Sequence, residues 1–128
     1  MNIPGSVVQN PIMIIPKDAI IAVEKVRDYL LTPQEKGDKS GFLALAGYSL
    51  ADYWELLRDL REQLLPGDAE FQEHRHREDI YVLRGILTGP NGVRLAVRTV
   101  WVLNLLNEIR FVTLLPDKAR YHDEIRTL

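Results

Sequence analysis

Three groups of side chains in this sequence have types and spacing suited to chemistry. The first is a set of arginines and threonines, Arg84, Arg94, Arg98, Thr88 and Thr113, on consecutive segments of alternating polarity within residues 79–116. A planar guanidinium fork matches two phosphate oxygens at once, so several arginines on one sheet face form an anion site. The same residues could instead do no more than solvate an exposed antiparallel face. The second group is Lys36, Lys39 and Ser40, directly before the apolar run at 42–46. A lysine and a hydroxyl at a helix N-terminus, where backbone N–H groups are free, form an anion cradle. The alternative is that Ser40 or Asp38 caps the helix and the lysines face solvent. The third group is His74-Arg75-His76 between Glu73 and Glu78. Histidines at i and i+2 of an extended segment can both reach a metal, and either titrates near neutrality as a general acid or base. Their charged neighbours allow the other reading, a solvated loop.

The carboxylates offer no acid/base pair. Glu55, Asp59 and Glu62 interleave with Arg58 and Arg61 at helical spacing, which reads as an exposed salt-bridged face. No glycine-rich phosphate loop, HExxH, GxSxG or EF-hand loop occurs, and nothing calls for a cofactor. The absence of cysteine excludes disulfides, zinc–thiolate sites and thiol nucleophiles. A formal net charge of −2 argues against a general nucleic-acid coat protein but leaves room for a local basic patch. No stretch is long and apolar enough to span a membrane, and the N-terminus lacks the pattern of a secretory signal, so a cytoplasmic protein is expected.

Three antiparallel strands over residues 79–116 must position these groups. Gly89-Pro90-Asn91-Gly92 is a strong turn. Pairing Gly89 with Val93 sets Leu87 against Leu95, Gly85 against Val97, Leu83 against Thr99 and Tyr81 against Trp101 on the core face. It sets Thr88 against Arg94, Ile86 against Ala96 and Arg84 against Arg98 on the other. A four-residue second turn at 104–107 puts Arg110, Val112 and Leu114 with Thr99 and Trp101, and puts Phe111 and Thr113 with Arg98 and Val100; a one-residue slip would exchange these sets for the third strand. Before this meander, apolar spacing at Ala19, Ile20, Val23, Val26 and Leu30 predicts a helix opened by Pro16 and Asp18 and stopped before Thr32-Pro33. A short helix follows at 42–46, closed by Gly47. A third starts at Ser49, buries Leu50, Trp54, Leu57, Leu60 or Arg61, and Leu64, and ends at Pro66-Gly67. Residues 12–15 form an apolar run that could add an edge strand or simply tuck against the core, and residues 68–79 read as a charged loop. The expected fold is α+β, with N-terminal helices packed on a C-terminal antiparallel meander of three to four strands. It is one domain over 1–128, with a loose arm at 1–11 and a polar tail at 117–128.

The stretch RDYLLTPQEKGDKSGFLALAGYS with LTGPNG, VRTVWVL and RFVTLLP resembles a family of small bacterial domains of unknown function. That family's members occur alone or at the ends of toxin-like and phage proteins. The resemblance covers roughly residues 18–116. Lys39, Gly47, Tyr48, Arg98, Thr99, Trp101, Arg110 and Thr113 fall on its motif positions. Gln34-Glu35-Lys36 stands where a histidine is often found. The layout is also similar to the barnase–EndoU–colicin–RelE nuclease superfamily. The resemblance implies a toxin-like, metal-independent ribonuclease. Arg98 and Lys39, with Arg110, would hold the phosphate oxygens, while Thr113 and Thr99 position phosphate or sugar. His76 or His74 would be the acid/base, Arg84 and Arg94 would add to the substrate face, and Tyr48 would stack a base. Its partners would be an RNA substrate and a small cognate antitoxin protein, with no membrane. Two alternatives stay open: a non-catalytic interaction module using the arginine face or the exposed third-strand edge, and a small phosphate or nucleotide binder.

Overall fold

Alternating polarity builds one antiparallel sheet. In the computed structural model, residues 12–119 are described. The strands are β1 (Ile12–Ile15), β2 (Gly67–Arg75), β3 (Glu78–Thr88), β4 (Arg94–Leu103) and β5 (Ile109–Pro116), paired in the order β1-β2-β3-β4-β5. Three short helical segments accompany them: a π-helix at Lys25–Leu30, α1 (Ser40–Ala44) and α2 (Tyr53–Leu64). The arm at 1–11 and the tail beyond residue 119, with Tyr121 and His122, lie outside the described residues.

The β3–β4 hairpin has the register that its turn dictates. The Gly89 N–H donates to Val93 O at 3.0 Å, and Gly92 takes φ 88°, which its missing Cβ permits. Gly85 then opposes Val97 and Arg84 opposes Arg98. Leu83, Leu87, Leu95, Val97 and Trp101 are buried on one face. Helix α2 lies on this face with Leu56, Leu60 and Leu64 buried. The Leu64 side chain fills the space where a Cβ on Gly85 would be.

The α+β expectation of N-terminal helices on a three-to-four-stranded meander is overturned. The sheet has five strands, β1 precedes every helix, and the helices are short. The nuclease-like layout loses its basis with it. Two local misreadings explain the difference. The supposed charged loop is mostly β2, a strand so solvated that Ala69 alone is buried along it. Its polarity therefore gave no alternation to read. The predicted first helix forms only in its second half. Ile20 instead sits in an isolated parallel bridge to Arg110, donating to Ile109 O at 2.9 Å and accepting from Phe111 N–H at 2.8 Å. Alternate burial of Ala19 and Ile21 fits that extended path, and β-branched residues favour it. Part of the third-strand edge offered to a partner is thus already taken.

The second hairpin corrects the register half-way. With a bulge between Val100 and Trp101, Thr113 opposes Val100 and Leu114 opposes Thr99, so these two residues lie on the expected faces. Beyond it Phe111 opposes Trp101 on the core face and Arg110 opposes Val102 on the other, the reverse of the expectation. An extra residue in one strand flips every side chain past it. On α2 the buried stripe is shifted. Leu50 and Trp54 are exposed, with the Arg58 guanidinium 5.3 Å from the Trp54 ring centre, and Asp59 is buried.

Candidate functional site

Arg84 and Arg98 stand opposite each other on adjacent strands. Leu115 pairs with Arg98, so it shares their face. Two residues further the chain still follows the ladder, and the Asp117 N–H donates to Ala96 O at 2.9 Å. Period-two geometry turns the Asp117 side chain back to the arginine face. There its carboxylate accepts from Arg84 Nε at 2.9 Å and Nη2 at 2.7 Å. Asp117 is 2% exposed whereas half of the Arg84 side chain reaches solvent. A buried carboxylate is tolerated only when paired, and a two-point fork fixes the plane of the guanidinium as well as its position.

The loop before α1 closes the site. Gly37, Asp38 and Lys39 join Arg84, Arg98, Leu115, Pro116, Asp117 and Lys118 around a cavity of about 500 Å³. Four cations thus face two carboxylates over an apolar floor. Among the described residues Arg98 has no ion-pair partner. Lys39 has an aromatic neighbour, with Nζ 5.5 Å from the centre of the Tyr29 ring. Asp38 is committed to its own loop. Its Oδ1 accepts from the Ser40 hydroxyl at 2.8 Å and from the N–H groups of Gln34 and Ser40. These bonds, the hydroxyl's first, hold its carboxyl below the ordinary range. The helix-terminus cradle foreseen for an external anion is therefore filled by Asp38.

The remaining candidate residues are dispersed. Thr113 lies on the Arg98 face opposite Val100, its hydroxyl oxygen buried with no hydrogen-bond partner among the described residues, and it does not line the cavity. Arg94 and Arg110 are each about four residues along the strands from the level of Arg98, roughly 13 Å to either side. Arg110 there meets Glu108 at 3.3 Å. Thr99 is fully buried, donating to Leu83 O at 2.9 Å and accepting from Trp101 Nε1 at 2.8 Å. Tyr48 is 2% exposed and donates to Asp59 at 2.7 Å, so no base can stack on it. His74 meets Asp79 at 2.7 Å. His76 sits in the β2–β3 turn beside a different cavity, with Arg77, Leu105 and Leu106. Six residues of β3 separate that turn from Arg84, roughly 20 Å.

Sequence reasoning thus brought Lys39, Arg84 and Arg98 to one place and missed Asp117 and Lys118. The alternation Thr113, Leu115, Asp117 was the available signal. It was lost because Pro116 reads as a strand end.

Comparison with known proteins gives a family and no activity. A family model described as a domain of unknown function, DUF6883, matches residues 16–118, and the chain belongs to that family. No curated protein and no solved structure matches it. The toxin association suggested by the motifs and the ribonuclease likeness suggested by the layout gain nothing from this match. No helix among the described residues is long and apolar enough to cross a membrane.

Proposed function

We propose that this member of the DUF6883 family binds a phosphate group in the cleft between Lys39, Arg84 and Arg98. The observation that carries the reading is convergence. Cations from three separate segments meet at one cavity, and one of them is held in a fixed plane by a buried carboxylate. Guanidinium forks and an ammonium together match a tetrahedral oxyanion. Fixed groups also lose less freedom on binding than mobile ones.

Cleavage of an RNA phosphodiester, the activity that the nuclease-like layout implied, requires a proton-transfer group at the phosphate as well. His76 is at the far end of the sheet, and Asp38 is bound into its own loop and kept ionised. Binding is therefore the reading that the geometry supports best. The antitoxin partner rested on the resemblance alone and forms no part of it.

Calorimetric titration with inorganic phosphate and pyrophosphate tests the proposal. Saturable binding is expected, weakened about ten-fold or more in Arg98→Ala, since a charged hydrogen bond contributes about 1.5–3 kcal/mol. Arg94→Ala, outside the cleft, leaves binding unchanged. No heat of binding, or equal affinity in the Arg98 variant, contradicts it.

A further inference from the structure

We infer that the ligand is a mononucleotide, with its phosphate on the cations and its base against Tyr29; this rests on the phosphate reading above. A cavity of about 500 Å³ falls within the range of small-molecule sites, roughly 300–1,000 Å³, and exceeds what one phosphate group occupies. Its walls are also mixed in character. The cationic side chains lie beside an apolar floor of Leu115 and Pro116, which is suited to a sugar or base and has no counterpart in a bare anion.

Lys39 lines the cavity and sits 5.5 Å from the centre of the Tyr29 ring, which is 40% exposed. A phosphate oxygen takes an ammonium proton at about 2.8 Å, which brings that oxygen within roughly 8 Å of the ring. A ribose spans that gap, so a nucleobase attached to it meets the aromatic surface. Base–aromatic stacking contributes without requiring a particular base.

The charge distribution suits a mononucleotide better than an RNA strand. A polyanion needs a continuous basic track. Here Arg94 and Arg110 lie roughly 13 Å to either side of Arg98, and Arg110 is paired with Glu108. The whole chain is acidic, with a pI near 5.9.

The test compares inorganic phosphate, ribose 5-phosphate, the four nucleoside monophosphates and a short single-stranded RNA by calorimetry. At least one nucleoside monophosphate is expected to bind ten-fold or more tightly than inorganic phosphate, with ribose 5-phosphate between them. Tyr29→Leu should bring the nucleotide down to the affinity of ribose 5-phosphate and leave inorganic phosphate unaltered. The RNA should bind no more tightly than the monophosphate. Equal affinity for phosphate and all four nucleotides overturns the inference while sparing the phosphate site. An RNA that binds far more tightly than any monophosphate also overturns it. Absence of binding by every compound removes both readings.

Discussion

Two buried side chains with candidate roles illustrate how a polar residue in a sheet protein becomes structural. Thr99 bridges Leu83 O and Trp101 Nε1, so a hydroxyl satisfies a main-chain acceptor and an indole donor that would otherwise be buried unpaired. Thr99→Val, nearly the same shape, should lower stability by about 1–3 kcal/mol in urea unfolding, with phosphate affinity unaltered. Tyr48 performs a similar service for Asp59, a carboxylate at 6% exposure that also meets Arg58 at 3.1 Å. Burial first, then the hydrogen bond to Asp59, raises the Tyr48 phenol above its ordinary 10.0. The unfolded chain therefore ionises this tyrosine before the folded one does. Its stabilising contribution is complete below pH 10 and is lost as pH rises toward the folded value. Tyr48→Phe should cost about 1–3 kcal/mol at neutral pH and flatten the alkaline fall in stability. An unchanged profile above pH 10 would refute that origin. Neither role was legible from residue type. A threonine within an Arg-Thr-x-Trp run looks functional until the register shows which face it occupies.

At the scale of elements, the sequence disclosed what turn chemistry controls and hid what solvent or packing controls. Gly-Pro-Asn-Gly set the β3–β4 register pair by pair, and that hairpin also docks on α1. The Asn91 N–H donates to Ala46 O at 3.3 Å and its side-chain amide to Leu45 O at 3.1 Å, supplying the unsatisfied carbonyls at the helix end. Gly89 lies so close that an added Cβ would collide with Ala46. Gly89→Ala should therefore cost about 1–3 kcal/mol, read as a lower melting temperature. The β2–β3 turn was missed because both its residues, His76 and Arg77, are ordinary side chains held at φ 52° and 66°. Left-handed backbone at a non-glycine residue costs about 1–2 kcal/mol. Arg77→Gly is thus expected to raise stability by up to about 1 kcal/mol. A drop on that substitution would show that the Arg77 side chain does more than turn the chain.

For the whole molecule, the distribution of charge matters more than its sum. A slightly acidic chain concentrates four cations around one cleft, and the other arginines of the same face stand apart from it. Acid should loosen the 34–41 loop and the 104–108 turn before the core. Asp38, through the Ser40 hydroxyl, and Glu108, through the Asn104 amide, are held below their ordinary 3.8 and 4.5. Their contributions are full above those values and are lost as pH falls through the lower folded ones. Amide signals of the 34–41 loop and the 104–108 turn should therefore broaden or shift below about pH 4, ahead of β3 and β4. The sequence held most of the cleft, since Lys39, Arg84 and Arg98 were all candidates. Arg84 and Arg98 meet through the β3–β4 register, but the plane of Arg84 is set by Asp117, whose place follows only once the sheet continues past Pro116.

The most direct test of the central claim is a nitrogen-15 NMR titration of the intact chain with inorganic phosphate at low ionic strength. The account predicts saturable shifts at Lys39, Arg84, Arg98 and residues 115–119, with those of Arg94, Arg110 and His76 unmoved. Shifts spread evenly over all exposed cations, or none within the cleft, would contradict it.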